Sequence, residues 1–413
     1  KTSEVEHMSR KRRKKKSIRR PIIFFVILCI VIVGSFVACN LELDKSKILN
    51  LGKVNEEEKV VNDIDDDKYE NKKITLVAAG DIIFHMSQIR GAYNDQTDTY
   101  NFKNHFEPVK DIIESADIAI ANFEGTTAGA DEYEYMAYPR FNAPDEVLDA
   151  IKYTGFDILA TANNHTIDTG KLGIVRTIDK INQRGIDTIG TFKEKPQTRI
   201  LIKDVKGIKI AFLAYTFSCN GLEQLLTEEE LDTMVNIIDR DKILKDISDA
   251  KEAEADIIVA YMHWGYEYHR EPSNDQRELA DFKLNEGVNI ILGSHPHVIQ
   301  DSKTLQYNGN DVFVAYSMGN FISNQRYETL QNEYTEDGVI IKLEIEKNGI
   351  TKKSEIKNVN FLPTWVYRYK KNGKFDYRIY PIMEYIESSE ISKETKNRMQ
   401  RSYNDTMSKM NIQ

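Results

Sequence analysis

From residue 74 onward, short apolar runs recur along the chain, and each closes on polar residues. They are ITLVAAGD (74–81), DIAIANFEG (117–125), FDILATANNH (156–165), KIAFLAYTF (209–217), DIIVAYMHWG (256–265), VNIILGSHPH (288–297) and DVFVAYSMGNF (311–321). Runs this short and this rich in Ile, Val and Leu predict buried strands. Stretches 144–154, 171–184, 240–254 and 275–287 lie between them and read as helices. In 171–184 the apolar Leu172, Val175, Ile178 and Ile181 step by three, which predicts one buried helix face. Strands alternating with helices point to an α/β layered domain. GVIIKLEIE and GITKKSEIKNVNF, within 338–362, predict further strands added antiparallel to one sheet. The tail from 363 is Tyr-rich and then helical.

The N-terminal part has a different pattern. PIIFFVILCIVIVGSFVAC (21–39) is uncharged and almost wholly apolar. As a helix it would run about 28 Å, close to one hydrocarbon core. RKRRKKKSIRR stands directly before it, and the positive-inside rule keeps that end in the cytoplasm and sends the body across. Residues 1–20 are thus expected as a basic cytoplasmic tail and 21–39 as a transmembrane signal anchor. Residues 40–73 read as a charged linker, 74–362 as the globular domain and 363–413 as a C-terminal extension. A second reading takes Phe36-Val37-Ala38-Cys39 as a lipoprotein cleavage box with Cys39 lipidated. Either reading places the body outside the cytoplasm.

Charge narrows the function classes. Residues 1–20 hold ten Lys or Arg against Glu4 and Glu6, a surplus of +8. With a net charge of −9 overall, that leaves −17 for the rest. So acidic a body is not built to wrap nucleic acid by general attraction. An anionic substrate must instead be held locally, for example by metal ions. Of the three cysteines only Cys219 lies beyond residue 39, so the body is expected to fold without an internal disulfide.

The chemistry sits where the runs end: Asp81, Asn122 with Glu124, Asn164 with His165, His263, His295 with His297, and Asn320. In α/β sheets, ligands gather at the carboxyl ends of strands, so loops there can join groups far apart in sequence. Carboxylates, an amide oxygen and imidazoles form a mixed N/O set that suits Mn, Fe or Zn rather than a thiolate site. A carboxylate can bridge two ions about 3.5–4 Å apart. In His295-Pro296-His297, two imidazoles flank a residue of fixed φ, so they can address different ions. Four of the eight histidines fall at these strand ends; His85 and His105 do not.

The order of acidic strand end, Glu-bearing loop, Asn-His and His-x-His resembles the calcineurin-like metallophosphoesterases. More closely, AAGDIIF, NFEG, TANNHTIDTG, HWGYEY, GSHPHVIQ and SMGNFI resemble the CapA/PgsA poly-γ-glutamate capsule family, over about residues 74–325. The resemblance implies an α/β/β/α sandwich of metallophosphoesterase type, preceded by a single transmembrane helix, with two divalent ions. It implies that Asp81 holds one ion, that Glu124 bridges, and that Asn164, His263 and His295 hold the second, with His297 returning to the first. His165 would be the acid, counted with Asp81 as catalytic. Asn122, Asn163, Glu267 and Asn320 would lie beside the ions or the substrate. Two departures stand out: Ile83 occupies the position where the phosphoesterases carry a histidine, and the bridging acid comes from NFEG rather than a Gly-Asp motif. The first ion therefore has fewer obvious ligands, and occupancy by one ion stays open.

The resemblance further implies a role in poly-γ-glutamate synthesis or export, alongside membrane and cytoplasmic subunits of a synthase. The metal site would act on the polymer or on a phosphorylated carrier. Two alternatives remain open: a non-catalytic subunit that binds polymer or partners, and a surface metallophosphatase unrelated to capsule.

Overall fold

The computed structural model describes residues 69–389 and 391–410. The expected anchor 21–39, the Cys39 lipidation site and all but the end of the expected linker lie outside the described residues. Among those described, no helix is long and apolar enough to cross a membrane.

The chain starts one sheet, builds a second, and returns to the first. β1 (Lys72–Ile82) is followed by a small hairpin, β2 (Tyr93–Asn94) and β3 (Thr99–Tyr100). β4 (Ile118–Phe123), β5 (Ile158–Ala160) and β6 (Asp187–Ile189) then extend β1 as parallel neighbours. The second sheet comprises β7 (Leu201–Val205), β8 (Ile208–Thr216), β9 (Ile257–His263), β10 (Ile290–Ser294), β11 (Ser302–Tyr307) and β12 (Asn310–Ala315). Its order is β11-β12-β10-β9-β8-β7, parallel from β8 to β12 with antiparallel edges. The chain then adds β13 (Asn320–Ile322), parallel to β1, and β14 (Asp337–Lys347), β15 (Ser354–Lys371) and β16 (Lys374–Pro381), all antiparallel.

Alternation along the strands sorts the core into layers. Ile74, Leu76 and Ala78 of β1 face Ile210, Phe212, Val259, Tyr261 and Leu292 of the second sheet. Val77 and Ala79 face the other way, toward Phe106, Val147 and Ile151 on helical segments. The outer face of the second sheet packs on Ile243, Ile247, Ala280 and Leu284. These three clusters are the seams of a helix–sheet–sheet–helix stack.

The helices form at Glu146–Thr154, Gly170–Asn182, Arg240–Glu252 and Asn274–Glu286. The last is bounded by local chemistry: Ser273 and Gln276 form a capping box, and Gly287 closes it at φ +110°. In the helix Gly170–Asn182 the expected face needs correcting. Leu172 is 64% exposed, and Ile174, Ile178 and Ile181 are the buried apolar residues. A strict step of three drifts around a helix of 3.6 residues per turn, whereas i, i+4, i+7 stays on one side.

Residues 363–410 join the first sheet. β15 runs through position 363 without a break, and the unforeseen β16 pairs with it from Thr364 to Lys371. The helix Lys393–Met410 contributes Met399 to a cluster with Trp365, Ile382, Ile386 and Ile391. The boundary drawn at 362/363 therefore falls inside a strand, because the polar alternation of β15 and β16 hides a pair covered on one face. Cys219 is free and buried.

Candidate metal centre

Every parallel strand at the centre of the two sheets ends at this site. Asp81 stands next to Asn122 across β1 and β4, and next to Asn320 across β1 and β13. Close backbone approach makes this possible. A Cβ on Gly80 would lie 2.0 Å from the Gly319 carbonyl oxygen, and that carbonyl accepts the Asp81 N–H at 3.0 Å. Only glycine lets the SMGNF loop come this near. His263 ends β9, and His295 and His297 follow β10 with φ of +93° and +57°. Both histidines adopt backbone conformations that such residues rarely take.

The side chains converge. His297 Nδ1 lies 3.0 Å from Asp81 Oδ2, and its Nε2 lies 3.5 Å from Glu124 Oε1. His263 Nε2 lies 4.0 Å from the same Glu124 oxygen, 2.7 Å from Asn164 Oδ1 and 3.1 Å from His295 Nδ1. Asp81, Glu124, Asn164, His263, His295 and His297 are all buried. Two groups of ligand atoms, Asp81–Glu124–His297 and Glu124–His263–His295, each fall within 4.8 Å, and Glu124 belongs to both. The exposed Glu267 forms a third group with His295 and His297.

Around this set the amides act as donors. Asn122 Nδ2 donates to Asp81 Oδ1 at 2.8 Å and to Glu124 Oε2 at 3.1 Å. Asn163 Nδ2 donates to Asn122 Oδ1 and to the Phe123 carbonyl. Asn320 Nδ2 donates to the Thr335 carbonyl at 2.9 Å and to the His297 carbonyl at 3.4 Å, which braces the loop carrying His297.

His165 stands beside the cluster, with Nδ1 2.8 Å from Asp168 Oδ2 and its ring edge-on to Phe141. Asp168, Asn220 and Ser294 are site residues that sequence reasoning passed over. Ser294 Oγ lies 2.9 Å from His263 Nδ1. The i, i+3 spacing of His165 and Asp168 was a usable signal; Asn220, on a loop after β8, offered none. His85 also approaches: burial first, then the nearby His297, lower it to about 4. His105 belongs to the outer layer, with Nε2 3.2 Å from Asp376 Oδ1.

The electrostatics suit a cation. Burial holds His263 and His295 well below the ordinary imidazole range, so their ring lone pairs are free to coordinate. Burial raises the Glu124 carboxyl well above its usual value, and Glu124 Oε1 is buried with no hydrogen-bond partner. Burial also pulls His297 down, but the Glu124 and Asp81 carboxylates outweigh it and lift it to about 9. A buried carboxylate oxygen without a hydrogen-bond partner, set among imidazole nitrogens, is what a divalent ion satisfies, and the N/O composition fits such an ion.

A layered α/β domain with an acceptor-rich cluster at its strand ends is thus the class that fold and site define. Residues 75–325 match the family model for the bacterial capsule synthesis protein PGA_cap. The chain belongs to that family. It is 31% identical to the capsule biosynthesis protein CapA of Bacillus anthracis over 289 residues, 68% of this chain and 66% of that protein. It is 30% identical to the PGA biosynthesis protein CapA of Bacillus subtilis over 248 residues, 59% and 62% of the two chains. The match thus spans just under two thirds of each relative's length. Among solved structures, the calcineurin-like phosphoesterase YfkN from Bacillus subtilis is similar at a TM-score of 0.42 and 15% identity, covering 82% of this chain and 99% of that one.

Proposed function

We propose that this capsule-family protein acts in making or exporting poly-γ-glutamate, through a metal-dependent hydrolase-type site, with residues 21–39 anchoring it to the membrane. The reading includes a synthase with membrane and cytoplasmic subunits as partner, and it divides the chain into basic tail, anchor, linker and catalytic body. One observation carries the site: the buried Glu124 Oε1, without a hydrogen-bond partner, lies between His297 and His263 at 3.5 and 4.0 Å.

Asp81, Glu124 and His297 would hold one ion, and Glu124, Asn164, His263 and His295 the other. Divalent ions bound there supply Lewis-acid activation of a substrate oxygen and of water. The rest is the work of the chain itself. Asp168 fixes the His165 ring and keeps a proton on Nδ1. From its Nε2 side the ring would hand a proton to the leaving group. The surrounding apolar layers keep the carboxylates dry, which strengthens their pull on a cation.

The test is elemental analysis of the purified chain beside the double variant His295→Ala/His297→Ala. Near two equivalents of Mn, Fe or Zn in the parent, lost in the variant, is the expected result. A parent that holds no metal and takes none up on reconstitution would leave an assembly or polymer-binding subunit instead.

A further inference from the structure

Asn220 sits at the rim of the candidate centre, exposed, on the turn that follows β8. Its φ is +56° and that of Gly221 is +72°, so two successive left-handed residues aim this side chain back over the strand ends. Asn220 Oδ1 accepts from Asn164 Nδ2 at 3.1 Å, and Asn220 Nδ2 lies 3.4 Å from His165 Nε2.

Asn220 Oδ1, as an amide oxygen, only accepts, so it is the NH2 of Asn164 that faces it. That leaves Asn164 Oδ1, and not its NH2, pointing at His263 Nε2 from 2.7 Å. An Asn164 flipped the other way would present two N–H groups to the ligand cluster and repel a cation.

We infer that Asn220 is the positioning residue that sets the Asn164 amide for metal binding. The inference rests on the metal-site reading proposed above. Residues that orient a ligand from behind commonly change metal affinity by about 10- to 100-fold when removed.

Calorimetric titration of the full chain with Mn2+ or Zn2+ tests it, comparing the parent with Asn220→Gly and Asn220→Asp. Glycine keeps the left-handed backbone and deletes the side chain. Aspartate keeps an oxygen that accepts from Asn164. The expected result is one ion bound about 10- to 100-fold more weakly in Asn220→Gly, the other unchanged, and affinity in Asn220→Asp at or above the parent's. Chelated samples of all three are expected to melt together, which separates positioning from folding. Unchanged affinities in Asn220→Gly, or equal losses in Gly and Asp, would overturn the inference while leaving the metal site standing. A parent that binds no metal would overturn both.

Discussion

Replacing Asn122 by alanine removes one amide from between two buried carboxyl groups. Its NH2 donates to Asp81 Oδ1 at 2.8 Å and to Glu124 Oε2 at 3.1 Å, and Asn122 is fully buried. A hydrogen bond to a charged group is worth about 1.5–3 kcal/mol. The bond to Glu124, whose carboxyl burial raises well above its usual range, is taken at the ordinary hydrogen-bond value of about 0.5–1.5 kcal/mol. Together the metal-free chain should lose about 2–4.5 kcal/mol. A cation held by these oxygens would compensate, so the loss should shrink when divalent metal is present. Urea unfolding of the parent and Asn122→Ala, once in chelator and once with excess Mn2+, gives both numbers. A loss below about 1 kcal/mol in chelator would refute the hydrogen-bond reasoning. An equal loss in both conditions would refute the claim that an ion takes over the role of the amide.

Two further outcomes are expected. His85 is lowered to about 4 by burial, and its Nδ1 accepts the Asn324 N–H at 3.3 Å. The unfolded chain takes up this proton near 6.5 and the folded chain resists it to about 4, so the unfolded state binds more protons in that window. Stability should therefore fall as pH drops from 6.5 to 4, by up to about 3 kcal/mol; urea midpoints across that range that match those of His85→Gln would contradict it. Met399, fully buried on the C-terminal helix against Trp365, Ile382, Ile386 and Ile391, should cost about 2–5 kcal/mol as alanine. That loss should appear in the single main thermal transition; a separate early transition would mean residues 363–410 fold apart from the sheet.

The sequence alone determined the buried strands, because seven apolar runs have no other stable place than the middle of a layered sheet. It also determined which chemistry stands at their ends, since each run closes on its own polar residues. It was blind to β7, β11 and β16, whose burial is partial and alternating, so no apolar run marks them. Only the tertiary structure supplied the distances at which Glu124, the bridge that the family resemblance implies, meets two groups of ligand atoms, since these depend on how the two sheets register against each other. The roles of Asp168 and Asn220 were likewise decided there, by the turn of a loop and the direction of a hydrogen bond. Periodicity records which face of a strand is dry. It carries no information about which loop, hundreds of residues away, will bend back to meet it.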